Sequence, residues 1–466
     1  MKTYQDLLNV GQNEEKRKSF VRALINEHKS SVDYKIAADA YEYYCHRNVT
    51  INNYKRLLYK LSGEAVVDNY SANYKMATRH FHRFIIQEVQ YLLGNGISWG
   101  KEDTEDKLGT KRRSFDRQVK DAAIKALWGK CAFGFFDNDH VEVFSYLEFV
   151  PLYDETNGAL MAGVRFWQID DGKPLRATLY EVDGFTKYAW SKDNSVPDEP
   201  KRGYKAIVGV SEADGVEIYN YENYPTFPIV PFWANGERQS EIVGLREQID
   251  AYDLIKSGFA NTVDEASIFY WTINNAGGMD DVDLAKFVKH MKTVHAAVVD
   301  DAGATAESHT MEAPYQSREA LLNRLESDMY RDAMALDTER IASGAVTATQ
   351  IMAAYENLNA KTDDFEYQVL DFIAGIMAIA GVDDEATFTR SQIVNTTEMV
   401  QTLAQAGAYL DERYITEKIM TILGDADRVD EVLSDMEQSN IDRFTGGEWT
   451  EDTNTPTEEY QVLKNS

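Results

Sequence analysis

Apolar residues recur at helical spacing from Phe20 to about Gly94, as in Tyr54, Leu57, Leu58 and Leu61 and again in Phe81, Phe84, Ile85, Val89 and Leu92. That spacing predicts a helical N-terminal region. Gly94-Asn95-Gly96 and the polar run KEDTEDKLGTKRRS break it, and Gln118 to Trp128 resumes as a helix. Between Cys131 and Phe232 the texture changes to β-branched and aromatic runs: FGFF, HVEVFSYLEFV, GVRFWQI, RATLYEV, KYAW and YKAIVGV. Asp137-Asn138-Asp139, Asn157-Gly158, Asp171-Gly172 and Asp183-Gly184 separate these runs as turns, which predicts an antiparallel β-region. Asp137 and Asp139 do not begin a calcium loop. The next ligand position falls on Val141, and Glu142 stands where the loop needs glycine.

Prolines cluster at Pro225, Pro228 and Pro231 and then recur only at Pro314 and Pro456, so long helices are permitted in both gaps. One helix is expected from Ser240 as N-cap, with a seam at Ile242, Leu245, Ile249, Tyr252 and Phe259. SIFYWTIN, the turn NNAGGMDDVD, a short helix around Leu284 to Met291 and the strand-like VHAAVVD then read as a small αβ insertion. After Pro314 a second seam follows at Leu322, Leu325, Met329 and Leu336. DTERIASGAV interrupts the pattern. A T-x-x-Q capping box, Thr347 to Gln350, opens a helix running to about Ala380, with Ile351, Ala354, Leu358, Phe365, Val369, Ile373 and Ile376 on its apolar face. Helical periodicity continues through Leu433, and the acidic, Thr-rich tail from Gly446 reads as disordered. Taken alone, each seam is ordinary core.

Charge changes this picture. The 466 residues carry 77 Asp plus Glu against 48 Lys plus Arg, a formal net charge of −29, opposite to that of a protein gripping nucleic acid through its phosphates. Cys45 and Cys131 are too few for a disulfide scaffold and lack CxxC spacing. The first residues, MKTYQDLLNVGQNEEKRKSF, contain no apolar core of signal-peptide length, and FIAGIMAIAGV, Phe372 to Val382, is too short to span a bilayer; neither export nor a membrane span is expected.

Catalytic signatures are sparse. There is no G-x-x-x-x-G-K-[ST], G-x-S-x-G or H-E-x-x-H, and Gly94-Asn95-Gly96 lacks the third glycine of a dinucleotide fingerprint. His80 and His82, two apart on a helix, diverge, as do the neighbours Cys45 and His46. Acidic pairs such as Asp280-Asp281 and Asp363-Asp364 are too common in this chain to inform. No cofactor is implied.

Three segments resemble a known family. YLLGNGISW, Tyr91 to Trp99, is similar to G-Y-L-x-G-x-P-I, although Ile97 follows Gly96 and the proline is absent. FPIVPFWANGERQSEIVGLREQIDAYDLIKSGFAN, Phe227 to Asn261, resembles I-P-x-x-x-F-x-N followed by S-[DE] and a helix with L-I-D-A-Y-[ND] and a later serine. Pro228 or Pro231, Phe232, Asn235, Ser240, Asp250, Ala251, Tyr252 and Ser257 supply it. Ser343-Gly344-Ala345 resembles S-G-x-A, with Val346 where the pattern has alanine. These are patterns of the portal family of long-tailed phages infecting Gram-positive bacteria, and the likeness runs roughly from Arg22 to Leu433.

The resemblance implies an α+β portal fold: a wing of helices then antiparallel β-region (1–239), a two-helix stem (240–266 and 313–336), a small αβ clip (267–312), a tunnel loop (337–346), a long wing helix (347–384), a helical crown (385–443) and an acidic tail (444–466). It implies a non-enzymatic, homododecameric ring at one capsid vertex of the virion, assembled in the host cytoplasm. Viral double-stranded DNA is packaged and ejected through it. The implied partners are the terminase large subunit, a head-to-tail adaptor, and major capsid and scaffolding proteins, with no membrane.

It also places Asp337, Thr338, Glu339, Arg340, Ser343, Gly344 and Val346 at the channel, and Ile242, Leu245, Ile249, Tyr252, Leu322, Leu325 and Met329 at stem subunit contacts. Asn274, Asn275, Asp280, Asp281, Lys286 and Lys289 fall at the clip interface with terminase and adaptor. An acidic channel wall holds phosphates off where a basic one would stall them. Channel lining and intersubunit ion pairing remain equal alternatives for Asp337, Glu339, Arg340 and Ser343. Two other readings stay open: a divalent-metal-dependent nucleic-acid hydrolase using its carboxylates, and a channel-less capsid or scaffold interaction protein.

Overall fold

The structure, a computed structural model, describes residues 2–59, 62–69, 71–109, 114–191, 196–211, 215–266, 270–274, 286, 289, 305–309, 315–339, 348–391, 400, 403–406, 411–423 and 428–434. Met1–Ser391 form one compact unit and Gln392–Ser466 a second. Helices open the chain: α1 Tyr4–Val10, α2 Glu14–Ser30, α3 Val32–Tyr44 and α4 Val49–Asn53. The caps are local chemistry. Thr3 and Asp6 close a capping box on α1, Asn13 and Ser31 cap α2 and α3, and α2 carries Glu14 and Glu15 in its first turn and Lys29 in its last, each sign matching the helix dipole.

A hairpin of β1 Leu57–Tyr59 and β2 Ala65–Val67 follows. Here the helical expectation for Tyr54, Leu57 and Leu58 fails. A short run of apolar residues does not distinguish strand from helix by period alone, and Ser62-Gly63 supplies a turn, with Gly63 at φ +82°. Leu61 lies outside the described residues. Next come α5 His80–Leu93, β3 Ile97–Trp99, α6 Thr104–Leu108 and α7 Phe115–Gly129.

The expected β-region is present as ten strands: β4 Cys131–Phe136, β5 Val141–Ser145, β6 Phe149–Tyr153, β7 Leu160–Trp167, β8 Leu175–Glu181, β9 Gly184–Trp190, β10 Glu199–Arg202, β11 Lys205–Ser211, β12 Gly215–Glu222 and β13 Ile229–Trp233. They form a five-stranded sheet β10-β9-β8-β7-β6, a three-stranded sheet β13-β4-β5 and the β11-β12 hairpin, all antiparallel. Residues 137–140 make the tight β4–β5 turn expected in place of a calcium loop, with Asn138 at φ 52°.

The chain continues as α8 Arg246–Ala266, β14 Tyr270–Asn274, β15 Thr305–His309, α9 Tyr315–Asp332, α10 Ala348–Ala380 and β16 Ala386–Phe388, which pairs with β3. In the second unit α11 spans Glu412–Leu423 and buries Ile415. α8 starts later than the sequence suggests. Gly244 at φ +86° keeps residues 241–245 in turns, so Ser240 does not cap the helix; its hydroxyl donates to the Trp128 carbonyl instead.

The main core lies where α7 and α10 cover β4, β5 and β13. α10 is about 50 Å long at about 1.5 Å per residue, and its expected face is used: Leu358, Phe365, Val369, Ile373 and Ile376 are all buried. Phe372 stacks on Phe232 at 4.9 Å, and β4 accepts it at Gly134, where a Cβ would lie 2.6 Å from the Phe372 ring. Glycine is what lets helix and sheet approach there.

Candidate functional site

Two helices flank the segment expected as an insertion. Gln248 of α8 reaches Asp332 of α9, while Arg318 donates to Thr262 at 2.7 Å and Phe259 meets Tyr315 at 5.6 Å. Residues early in α8 thus face residues late in α9, so the pair is antiparallel. Of the expected contact residues, Ile242, Leu245, Ile249, Tyr252 and Met329 are buried and Leu322 and Leu325 half-buried, all within the chain's own main core. The buried five have no apolar surface left over for a neighbour.

A second face of α8 is polar, and the sequence reading missed most of it. Asp250 accepts from the Tyr43 hydroxyl and from Thr50 Oγ1 (2.7 Å); Asp253, fully buried, accepts from Asn48 Nδ2 (2.8 Å) and the Thr78 amide (3.1 Å). Ser257 Oγ accepts from the Met76 amide (3.0 Å) and Asn261 Oδ1 from the Tyr74 amide (2.7 Å). Alternate amides of residues 74–78 therefore meet every fourth residue of the helix. The match is geometric: four helical residues rise about 6.0 Å and two extended residues about 6.6 Å. Burial raises the Asp253 carboxyl above its ordinary value against the pull of its donors, and Tyr43 is pushed up to about 12 by burial and then by Asp250. The signal lay in the sequence as D-x-x-D-x-x-x-S-x-x-x-N, one polar stripe opposite the apolar seam.

Beyond α9 the chain is pinned before it reaches residues 337–346. The Gln87 side chain on α5 exchanges two hydrogen bonds of 2.9 Å with the Leu336 backbone, and Leu336 packs with Tyr91, Tyr355 and Leu358. Asp337 is half-buried and its Oδ1 accepts the Glu339 amide at 3.2 Å; Thr338 and Glu339 are exposed. Arg340, Ser343, Gly344 and Val346 lie outside the described residues, as do Asn275, Asp280, Asp281 and Thr347. Asn274 ends β14 opposite Thr305, and Lys286 and Lys289 are helical and exposed.

One buried ion cluster ties these parts together. Lys361 Nζ on α10 lies 2.8 Å from Glu88 of α5, 2.7 Å from Glu241 and 3.3 Å from the Ala333 carbonyl at the end of α9. Burial pulls the ammonium down, but the two carboxylates outweigh it and hold Lys361 above its ordinary value. Burial pushes Glu88 up to about 7, with Lys361 opposing. A cavity of about 340 Å³ beside it is lined also by Glu237, Asp332 and Asp364. Among the described residues no group of three or more His, Cys, Asp or Glu is placed to hold a metal ion, and no helix is long and apolar enough to cross a membrane. His80 packs on Tyr252 and His82 on Tyr44 and His46, in separate directions as expected, and Cys131 is fully buried with its thiol raised by burial.

In this geometry the polar residues of α8 hold the helix in register against residues 43–78. The chain belongs to the phage portal protein family, matching the description "Phage portal protein, SPP1 Gp6-like" over residues 24–441. That is a family of structural, non-enzymatic proteins. The chain is 24% identical over 427 residues to the portal protein of Bacillus phage SPP1, covering 83% of this chain and 80% of that protein. It is 26% identical over 356 residues to the portal protein of Clostridium phage phiCD119, covering 69% and 76%. Among solved structures, the neck of a native gene transfer agent particle aligns at a TM-score of 0.41 and 11% identity, over 73% of this chain and 89% of that one.

Proposed function

We propose that copies of this chain close into a dodecameric ring at one capsid vertex and that viral double-stranded DNA passes through it during packaging and ejection. α8 and α9 are the stem, residues 267–312 the clip that docks the terminase large subunit and later a head-to-tail adaptor, and residues 337–346 the tunnel loop, with Asp337 and Glu339 among the acids nearest the DNA. Major capsid and scaffolding proteins surround the rest. The terminase, not this chain, hydrolyses ATP.

The observation that carries this reading is the pinning of the chain at Leu336 by Gln87, between an antiparallel helix pair and a 33-residue helix. A loop that moves against DNA needs a fixed base, and both of its flanking helices are tied to α5. The formal charge of −29 suits a conduit that must not grip phosphate. Ile242, Leu245, Ile249 and Tyr252 hold α8 to its own core, which leaves exposed Leu254 and Val263 for stem contacts between subunits. Negative-stain imaging with native mass measurement tests the proposal. Rings of about a dozen copies with an axial hole support it, and a monomer or dimer at every concentration sinks it.

A further inference from the structure

β1 and β2 pair Leu57 with Val67 and Leu58 with Val66, and among the described residues no third strand joins them. Leu57, Leu58 and Val67 are 46%, 43% and 46% exposed. Because successive strand residues point to opposite faces, the hairpin shows aliphatic side chains to solvent on both sides. A lone two-stranded hairpin is marginal in water, and both of its edges are open. Tyr54, Tyr74, Met76, Leu254 and Val263 are exposed as well. Tyr54, Tyr74 and Leu254 line a groove of about 380 Å³ together with the cations Arg56, Lys75 and Arg318. Lys55 stands exposed beside them.

We infer that this hairpin and groove are a docking surface for a second copy of this chain, the adjacent copy in the ring; the inference rests on the ring proposed above. Charge selects the occupant. The groove is rimmed by cations in a chain with 77 acids and 48 bases, so the complementary acidic face is the kind of surface another copy presents. Ring symmetry selects it too, since a head-to-tail contact joins two different faces, and a basic apolar face against an acidic one is such a pair. Apolar exposure on both sides of a strand pair calls for permanent cover, which is a property of obligate interfaces. A visiting protein leaves it bare on departure. DNA phosphates gain nothing from Leu57, Leu58 or Val67, because phosphate contacts are made by cations and hydrogen-bond donors.

The test uses the full chain. The double variant Leu57→Glu/Leu58→Glu changes two exposed side chains, so its circular dichroism spectrum should match the wild type. Its ring fraction at fixed concentration should fall at least about tenfold. Lys55→Glu/Lys75→Glu, which leaves the apolar residues in place, should lower it about threefold, more at low salt than at high. A photo-crosslinking residue in place of Leu58 should join two chains inside assembled rings, located by peptide mass spectrometry. Rings unchanged in both variants, or a crosslink from position 58 into its own chain, overturn the inference while leaving the ring intact. A wild type that forms no rings fails the ring proposal itself and removes the inference with it, a result read in the wild-type trace alone.

Discussion

Between β4, β13 and α10 the interior is aromatic: Phe232, Phe365 and Phe372 are almost wholly buried, and Phe232 stacks on both of the others. Between α8 and residues 43–78 the contact is a ladder of Asp250, Asp253, Ser257 and Asn261 to amides, hydroxyls and one Asn side chain. The first is held by burial, which is non-directional and tolerant of small shifts. The second is held by hydrogen bonds that fix register, each contributing about 1 kcal/mol net but costing about 1–3 kcal/mol if one buried partner is left alone. A ring subunit needs both: a wing core that does not yield and a helix set at one rotation and height. Substitutions on the two sides should therefore fail differently.

The largest effect is expected in the aromatic region. Phe372→Ala opens a cavity between Phe232 and Gly134 and should cost about 3–5 kcal/mol in urea unfolding, with little dependence on pH. Lys361→Met comes next. It leaves Glu88 buried and Glu241 half-buried without their cation, a loss of about 3–5 kcal/mol for a broken buried ion cluster. This loss depends on pH, and its sign is fixed by Glu88. Its folded value, about 7, lies above the ordinary 4.5, so its favourable contribution is full below about 4.5 and is lost as pH rises through 7. Removing Lys361 raises Glu88 further. The gap between variant and wild type should be widest at about pH 8 and should narrow as Glu88 protonates on acidification. A gap of constant size from pH 6 to 8 would show that the ammonium serves only as packing.

On the polar side, Asp253→Ala should cost about 2 kcal/mol, because the Asn48 amide and the Thr78 N–H lose a buried acceptor at once. Asp253→Asn keeps one acceptor oxygen and should recover part of the loss. If the two substitutions are equally harmful, charge rather than acceptor count is what the site requires.

The two regions also differed in how far the sequence could reveal them. The β-region announced itself, since alternating aromatic and β-branched runs separated by Asp-Gly and Asn-Gly turns admit few other structures, and the face of α10 followed from period alone. The portal patterns around Asp250, Tyr252 and Ser257 pointed to the right helix. Their reason stayed hidden, because a polar stripe at 250, 253, 257 and 261 has meaning only against alternate amides of a distant extended segment. Helical spacing at Tyr54, Leu57 and Leu58 misled, since three residues of hairpin are too few to establish a period. The Lys361 cluster was invisible for a simpler reason: 77 carboxylates give no hint of which two meet this lysine. Gly244 explains why Ser240 failed as a cap, and a glycine four residues past a candidate cap was a readable warning.

The smallest expected effect separates local from global stability along the ladder. Asn261 sits at its outer end, where its partner amide on Tyr74 is exposed, so Asn261→Ala should change the global unfolding midpoint by no more than about 0.5–1 kcal/mol. Local opening is a different quantity. Among the described residues the Tyr74 amide has its acceptor on Asn261, and its hydrogen exchange should speed up by about fivefold or more, while the Thr78 amide, held by buried Asp253, should keep its rate. If both amides accelerate together, the ladder opens as one cooperative unit and residues 74–78 leave α8 in a single step. If only Tyr74 responds, the ladder frays from its exposed end, and the inner rungs alone set the rotation of α8 that the stem requires.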